Sequence, residues 1–170
     1  MDTYQDSTLG ETDNKLAIDS SQDHRLAALL MAKQASLTLE IISRELDSAV
    51  YNNQEFVEAV KYLVLKNRKS KVRIMVYEPM KIVKRGHRLV DLAMDLSSFI
   101  EFRVPNFEYA DFNESIFIAD TTGYIHRISS ERFDGTLNFN DKRKSRTLAH
   151  QFDEMWEKAK PDPNLKRALL

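Results

Sequence analysis

The stretch that decides the fold lies between Leu37 and Pro79 and contains three segments of different periodicity, "LTLEIISREL" (37–46), "NNQEFVEAVKYLVLKN" (52–67) and "KVRIMVYEP" (71–79). The first is rich in β-branched and apolar residues and alternates in its first half, which favours a strand. The second places five apolar residues on one helical stripe, as in a helix that packs on a sheet. The third is a nearly continuous apolar run ended by Pro79, typical of a strand covered on both faces. Together they predict a right-handed βαβ unit.

The flanking segments extend this unit into a mixed α/β sheet with helices on both faces. Before it, "SSQDHRLAALLMAKQA" (20–35) predicts a helix capped near Ser20 and ending near Ala35, with its apolar face formed by Leu26, Leu29, Leu30 and the stem of Lys33. After it, the pattern predicts a second covering helix within 80–97 interrupted by Gly86, a strand in "SFIEFRVPN" (98–106), and a hairpin over 115–129. A polar, irregular segment (131–146) and a final helix (145–159) anchored by Trp156 complete the order.

Composition indicates one ordinary globular domain in a chain of 170 residues. Residues 1–20 are polar with scattered apolar positions, so we expect a flexible N-terminal arm followed by a single domain over 21–170. No segment has the roughly 18 apolar residues of a membrane span, and the first residues do not resemble a signal peptide, so we expect a cytoplasmic protein without membrane partners. The chain has no cysteine, which excludes disulfides and thiolate chemistry.

Charge and motifs exclude several function classes. The 25 basic and 26 acidic residues give a net charge of -1, which argues against nucleic acid as a partner. The densest basic runs are "KNRKSKVR" (66–73) and "DKRKSR" (141–146), which are more typical of solvated loops. The four histidines lie on separate elements, so no metal site and no cofactor is predicted. The sequence contains no GxGxxG, GxxxxGK[ST], HExxH or GxSxG motif.

The stretch "DFNESIFIADTTGYIHR" (111–127) and the terminal helix resemble the phospholipase D-like superfamily. That family has the motif HxKxxxxD on a strand, in which histidine attacks phosphorus, lysine holds phosphate oxygens and aspartate completes the site. Placing Asp120 at the motif aspartate puts Asn113 at the histidine and Ser115 at the lysine. The resemblance therefore implies a phospholipase D-like mixed sheet with a degenerate motif. Asparagine is no nucleophile and serine carries no positive charge, so no phosphodiesterase activity is expected.

Three further stretches resemble an uncharacterised bacterial domain, which is sometimes fused to an acyltransferase-like domain: "HRLVDLAMDLSSFIEFRVPN" (87–106), "FIADTTGYIHR" (117–127) and "FDEMWEKAKPDPNLKRALL" (152–170). This resemblance implies no particular activity. The superfamily needs two motifs in one pocket, and this chain has one degenerate copy. A homodimer is the expected partner arrangement.

The remaining candidate residues each have a structural and a functional interpretation. Asp120 precedes a Thr-Thr-Gly turn and is more typical of an aspartate that holds backbone amides. Arg73 and Arg103 interrupt apolar strands and should pair with Glu101, Glu40 or Asp120. His87 follows Gly86 and is interpreted as a partly exposed surface histidine. His126 and Arg127 are possible ligand-binding residues, as are Arg73, His87 and Arg103. His126 and Arg127 must point to opposite faces of their strand, and His126 is interpreted as structural.

The leading hypothesis is a catalytically inactive phospholipase D-like domain that acts as a binding or scaffold module. The alternative is an enzyme of another class that reuses the cleft, with Asp120, His87 or His126 as acid or base and Arg73 or Arg103 as an anion clamp. A third hypothesis is weak nucleic-acid binding through the basic runs, which the net charge disfavours.

Overall fold

The computed structural model describes residues 4–162 and residue 165, and its centre is one seven-stranded mixed sheet in the order β1-β7-β6-β5-β2-β3-β4. The strands are β1 (Leu16–Ile18), β2 (Thr38–Ile42), β3 (Lys71–Met75), β4 (Ile100–Arg103), β5 (Ser115–Ala119), β6 (Gly123–Arg127) and β7 (Gly135–Asn138). β2, β3 and β4 are parallel, and every other neighbouring pair is antiparallel. The predicted α/β class is confirmed.

The helices flank both faces of this sheet, as predicted. They are α1 (Ser21–Gln34), α2 (Ser48–Tyr51), α3 (Gln54–Lys66), α4 (Pro79–Arg85), α5 (Arg88–Asp95) and α6 (Lys142–Lys158), with a 3-10 turn at Phe107–Tyr109. Apolar residues of α1, α2, α3 and α5 form one core with the sheet residues Leu39, Ile41, Val72, Ile74 and Phe117. α6 covers the other face, where it packs on Ile42, Met75, Ile116, Ile118 and Tyr124. Among the described residues, no helix is both long and apolar enough to span a bilayer.

Local sequence explains where α3 and α1 begin. The side chain of Asn53 accepts a hydrogen bond from the Phe56 N–H at 2.9 Å, and Ser20 accepts one from the Asp23 N–H at 3.1 Å. Such N-caps satisfy backbone donors that a helix leaves unpaired in its first turn. The faces of β2 alternate, so that Leu39 and Ile41 contact one core while Glu40 and Ile42 face the other.

Four sequence predictions are corrected. The arm predicted over 1–20 is ordered where it is described, because β1 pairs antiparallel with β7 at the edge of the sheet. The helix expected within 80–97 is two helices, since Gly86 (φ +80°) ends α4. The segment predicted to be irregular over 131–146 contains β7 and the start of α6. In α1 the buried residues are largely small ones, Ala27, Ala28, Leu29, Met31 and Ala32, whereas Lys33 is exposed.

Candidate functional site

A polar pocket of about 500 Å³ opens where β2 and β3 end and β5 begins. Residues after the carboxyl ends of parallel strands meet at one edge of a sheet, the usual place for a site in an α/β fold. Three loops supply most of the wall, and they follow β2, precede β5 and follow β6. The lining residues are Arg44, Glu45, Asp47, Glu78, Ala110, Asp111, Asn113, Ser130 and Glu131.

Five carboxylates line this pocket together with one arginine. Asp47 pairs with Arg127, and the Lys81 ammonium lies 3.6 Å from Glu45 and 3.0 Å from Glu78, so five negative charges face three positive ones and the pocket keeps an acidic excess. The Arg44 guanidinium donates through Nη2 to the carbonyl oxygens of Ala110 (2.6 Å) and Phe112 (2.9 Å), and it lies 4.2 Å from the centre of the Tyr77 ring. Burial raises the pKa of Tyr77 to about 12, so its ring stays neutral beneath the cation. Arg44 is therefore held to the backbone through Nη2, whereas its buried Nε has no hydrogen-bond partner among the described residues.

Asn113, the residue aligned with the motif histidine, connects two loops of the pocket. Its Oδ1 accepts a hydrogen bond from the Ser130 hydroxyl at 2.5 Å, and its carbonyl oxygen accepts one from the Ser130 N–H at 2.7 Å. The side chain and the backbone of Asn113 thus both contact the same residue. This arrangement holds the loop after β6 against the start of β5.

Ser115, aligned with the motif lysine, lies opposite Arg127 in the β5–β6 register. Directly opposed residues point to the same face of a sheet with Cβ atoms about 5 Å apart. Ser115 is 1 % exposed and Arg127 is fully buried. The Ser115 hydroxyl has no hydrogen-bond partner among the described residues. The lysine position is therefore buried, beside the Arg127 side chain of the neighbouring strand.

The Arg127 guanidinium is held on all sides. Its Nη1 donates to Asp47 Oδ2 at 2.8 Å, its Nε to the Arg132 carbonyl at 2.7 Å and its Nη2 to the Ser130 carbonyl at 2.8 Å. The ring of Phe133 lies 4.1 Å from its central carbon. A buried charge needs such complete pairing to be tolerated. Sequence analysis placed Arg127 among possible ligand-binding residues, but the structure makes it part of the core beneath the pocket.

Asp120 lies at the opposite end of β5 from Asn113, outside the pocket. Its carboxylate accepts hydrogen bonds from the N–H groups of Ser36 (2.8 Å), Leu37 (2.8 Å) and Thr38 (2.9 Å). Asp120 and Thr121 have positive φ angles of 53° and 51°, a conformation that non-glycine residues adopt only when their surroundings impose it. The geometry agrees with the interpretation of Asp120 as a turn aspartate, and it ties the β5–β6 turn to the start of β2.

His87 is buried, which corrects the prediction of a partly exposed surface histidine. Its Nδ1 accepts a hydrogen bond from the Leu89 N–H at 3.1 Å and thereby caps α5, while its Nε2 lies 3.0 Å from the Leu46 carbonyl. These contacts require the neutral ring, with its proton on Nε2. Burial lowers the pKa of His87 from 6.5 to about 4. Burial and the neighbouring Arg127 likewise lower the pKa of His24, to about 3.

These histidines predict a loss of stability in acid. Below pH 6.5 the unfolded chain binds a proton at His87 that the folded chain does not bind until about pH 4, so the stability present above pH 6.5 falls as pH decreases. We expect His87 to account for about 2 kcal/mol of the fall in unfolding free energy between pH 7 and 5. Urea denaturation at pH 7 and at pH 5 would measure the difference in unfolding free energy between wild type and His87→Asn. This difference should be smaller at pH 5 than at pH 7 by the same amount. His150→Asn, on the exposed face of α6, is the control, and an unchanged difference would contradict the assignment.

The other candidate residues face α6 or the surface. Arg73 pairs with Glu40 and, at 2.9 Å, with Asp153, and Arg103 pairs with Glu101 at 2.7 Å. The pairings of Arg73 with Glu40 and of Arg103 with Glu101 were among those predicted. The guanidinium carbons of Arg73 and Arg103 lie 5.5 and 4.3 Å from the centre of the Trp156 ring, which is buried as expected.

His126 lies on the α6 face of the sheet and its Nε2 is 2.5 Å from Glu114 Oε1. It points away from Arg127, as the alternation of a strand requires.

Of the residues singled out in the sequence, only Asn113 lines the pocket, and Ser115 and Arg127 lie beneath it. Sequence reasoning missed Arg44, Asp47 and the acidic wall. The available signal was their position, since Arg44 and Asp47 directly follow β2 and Glu78 follows β3.

The family model described as "Domain of unknown function (DUF7931)" matches residues 20–169 of the chain. The sequence has no match among curated proteins.

Similar folds occur in phospholipase D family members. Nuc of Salmonella typhimurium is 13% identical with a TM-score of 0.57, and NucT of Helicobacter pylori is 12% identical with a TM-score of 0.60; each match covers 88% of this chain and 99% of the other. TrmBL2, an archaeal chromatin protein whose structure was described as showing a novel mode of DNA binding, is 15% identical with a TM-score of 0.64. That match covers 89% of this chain but only 55% of the TrmBL2 chain. At these identities the likeness concerns the fold alone.

Proposed function

Since the chain belongs to the DUF7931 family and has a phospholipase D-like fold, we propose that it is a non-catalytic binding domain built on a hydrolase scaffold. In this proposal Asn113 and Ser115 replace the nucleophile and the phosphate-binding lysine of a degenerate motif. The scaffold is retained because its sheet and turn contacts do not depend on catalysis.

The observation that supports this proposal most strongly is the charge of the pocket. A phosphodiester carries negative charge, and its transition state needs cationic or N–H donors. Of the five carboxylates in the lining, Asp47, Glu45 and Glu78 are paired with Arg127 or Lys81, while Asp111 and Glu131 form no ion pair among the described residues. The one arginine in the lining, Arg44, already donates to two carbonyl oxygens. Repulsion from these carboxylates adds to the absence of a nucleophile at Asn113.

The alternative enzyme hypothesis required its acid, base and anion clamp to converge in one cavity. They are separated instead: Asp120 holds the β5–β6 turn, His87 caps α5 and His126 faces α6. Arg73 and Arg103 lie beside Trp156 and are paired with carboxylates. This geometry does not support an enzyme built from those residues.

Hydrolysis of bis(p-nitrophenyl) phosphate tests the proposal directly, with an active phospholipase D-family nuclease as positive control. We expect no turnover above buffer for the wild-type chain. The proposal would be wrong if turnover appeared, disappeared in Asn113→Ala and persisted in Lys84→Ala, an exposed change on α4 outside the pocket lining.

Self-association also remains part of the proposal. Three exposed apolar side chains lie on segments next to the pocket loops: Met80 (54 %), Phe107 (87 %) and Ile128 (73 %). Exposed apolar residues around a polar opening suit an interface with a second copy. Sedimentation velocity would measure the fraction of the protein that is dimeric.

A further inference from the structure

Two basic segments remain outside the site described above. They contain Lys66, Arg68, Lys69 and Lys71 in one segment and Lys142, Arg143, Lys144 and Arg146 in the other; we call these eight residues the basic end. All are exposed except Lys144, which is half-buried. In the described part of the chain, none of the eight forms an ion pair with a carboxylate, whereas Arg73, Arg103, Arg127 and Lys158 all do.

The fold brings the two segments to one end of the sheet. Asn67 donates to the Ser36 carbonyl at 3.0 Å, and the Lys71 N–H donates to the Leu37 carbonyl at 3.0 Å. Ser36 and Leu37 are in turn bound by the Asp120 carboxylate. On the other side of this turn, the Asp141 N–H donates to the Thr122 carbonyl at 2.9 Å. A continuous set of hydrogen bonds therefore connects both segments through the β5–β6 turn.

The two segments flank that turn from opposite faces of the sheet, because α3, which leads into the first segment, packs on one core and α6, which contains most of the second, packs on the other. β3 and β6 are separated by β2 and β5, which is three strand spacings or about 15 Å. Two carboxylates lie nearby, and neither forms an ion pair with a residue of the basic end: Asp120 accepts from the backbone of residues 36–38, and Asp141 caps α6 by accepting from the Lys144 N–H at 2.9 Å. The basic end thus presents two separated groups of unpaired positive charge.

The first turn of α6 shows that this charge is unfavourable for the chain alone. The turn contains Lys142, Arg143 and Lys144 and no acidic residue. A helix N-terminus carries partial positive charge and favours acidic residues, so three cations there lower helix stability. The Asp141 carboxylate at the N-cap of α6 offsets part of this cost, and the repulsion among the three cations remains. The ligand that would relieve this repulsion is an anion.

We propose that the basic end binds the phosphate backbone of double-stranded nucleic acid without reading its sequence. The side chains between the two segments, Ser36, Asn67, Thr121 and Thr122, are polar, and the apolar exception is Leu37. Polar groups suit contacts with phosphates, whereas a membrane surface would favour several inserted apolar side chains. The net charge of -1 does not reveal this surface, because the acidic residues of the pocket at the other end of the sheet offset its positive charge in the total.

This inference names the ligand class of the binding domain proposed above, yet it concerns a different surface. Its failure would therefore leave the hydrolysis assay, which tests the pocket, unaffected.

Fluorescence anisotropy with a labelled 25-base-pair DNA duplex of arbitrary sequence tests the inference. With four or more phosphate contacts, we expect the affinity to fall about 100-fold between 50 and 200 mM salt. The double variant Lys69→Glu/Arg143→Glu changes one residue of each segment and should bind at least about tenfold more weakly at 50 mM. Because Arg143→Glu places an acidic residue in the first turn of α6, thermal unfolding should exclude instability as the cause.

The control is Lys84→Glu/Lys158→Glu, which makes the same change in net charge at exposed positions near the pocket. The control should retain most of the wild-type affinity. An equal loss of affinity in both double variants would overturn the inference, as would the absence of duplex binding at 50 mM salt. Binding to vesicles of phosphatidylcholine and phosphatidylglycerol (7:3) without duplex binding would also overturn it and indicate a membrane surface instead.

Discussion

Arg127→Ala should lower the free energy of unfolding by about 3–5 kcal/mol, the usual cost of removing one partner of a buried ion pair. The substitution leaves the Ser130 and Arg132 carbonyls without their donor, removes the partner of Asp47 and opens a cavity beside Phe133. Equilibrium denaturation in urea, followed by circular dichroism, would measure the change as a lower midpoint at constant slope.

Two further arginine variants make this result specific. Arg132→Ala removes a side chain that is 74 % exposed and paired only with Asp134, so its effect should stay within about 0.5 kcal/mol. Arg127→Lys keeps the charge but cannot supply the three donors in a plane, so it should lie between wild type and Arg127→Ala. If Arg127→Ala cost less than about 1 kcal/mol, the network would have no structural importance.

Ser115→Lys, which introduces the lysine of the phosphodiesterase motif, should destabilise the fold by about 3 kcal/mol or more. The new ammonium would be buried opposite Arg127 in the β5–β6 register, where Asp47 already pairs with the Arg127 guanidinium. Many molecules should therefore be unfolded or precipitated at ordinary temperatures. Thermal unfolding and the yield of soluble protein provide the measurement.

Ser115→Ala is the matched control. The Ser115 hydroxyl is buried without a partner, so its removal should be neutral or stabilising by up to about 1 kcal/mol. For the same reason we expect Asn113→His/Ser115→Lys to fail to hydrolyse phosphodiesters. A stable, active double variant would show that the space beside β5 remains open and would contradict the closed arrangement around Arg127.

The parts of the fold that sequence predicted are those set by local patterns. The βαβ unit around α3, the hairpin of β5 and β6 and the final helix follow from period-2 and period-3.6 spacing. The partners of Arg73 and Arg103 were predictable, because a guanidinium in a covered strand needs a carboxylate nearby.

The rest depends on contacts between distant residues. β1 forms by pairing with β7, where Leu16 lies opposite Leu137. The polar composition of residues 1–20 gives no indication of this distant partner. The alternation of a strand predicts that His126 and Arg127 lie on opposite faces. It does not predict that Asp47 and Phe133, from other segments, contact the Arg127 guanidinium and bury it. Likewise, the burial of His87 involves a contact with the Leu46 carbonyl oxygen, about forty residues earlier in the chain, which local sequence does not predict. The pocket is made of loop residues, whose proximity is decided by the sheet order.

The acidic pocket and the basic end lie at opposite ends of the sheet, so charges of opposite sign are separated within the molecule despite its net charge of -1. In dilute buffer, copies of such a molecule attract one another with unlike ends in contact. Salt screens this attraction, with a Debye length of about 10 Å at 0.1 M. Its solubility should therefore rise with moderate salt, and its isoelectric point of about 6.4 is a poor guide to the ion-exchange resin that will retain it.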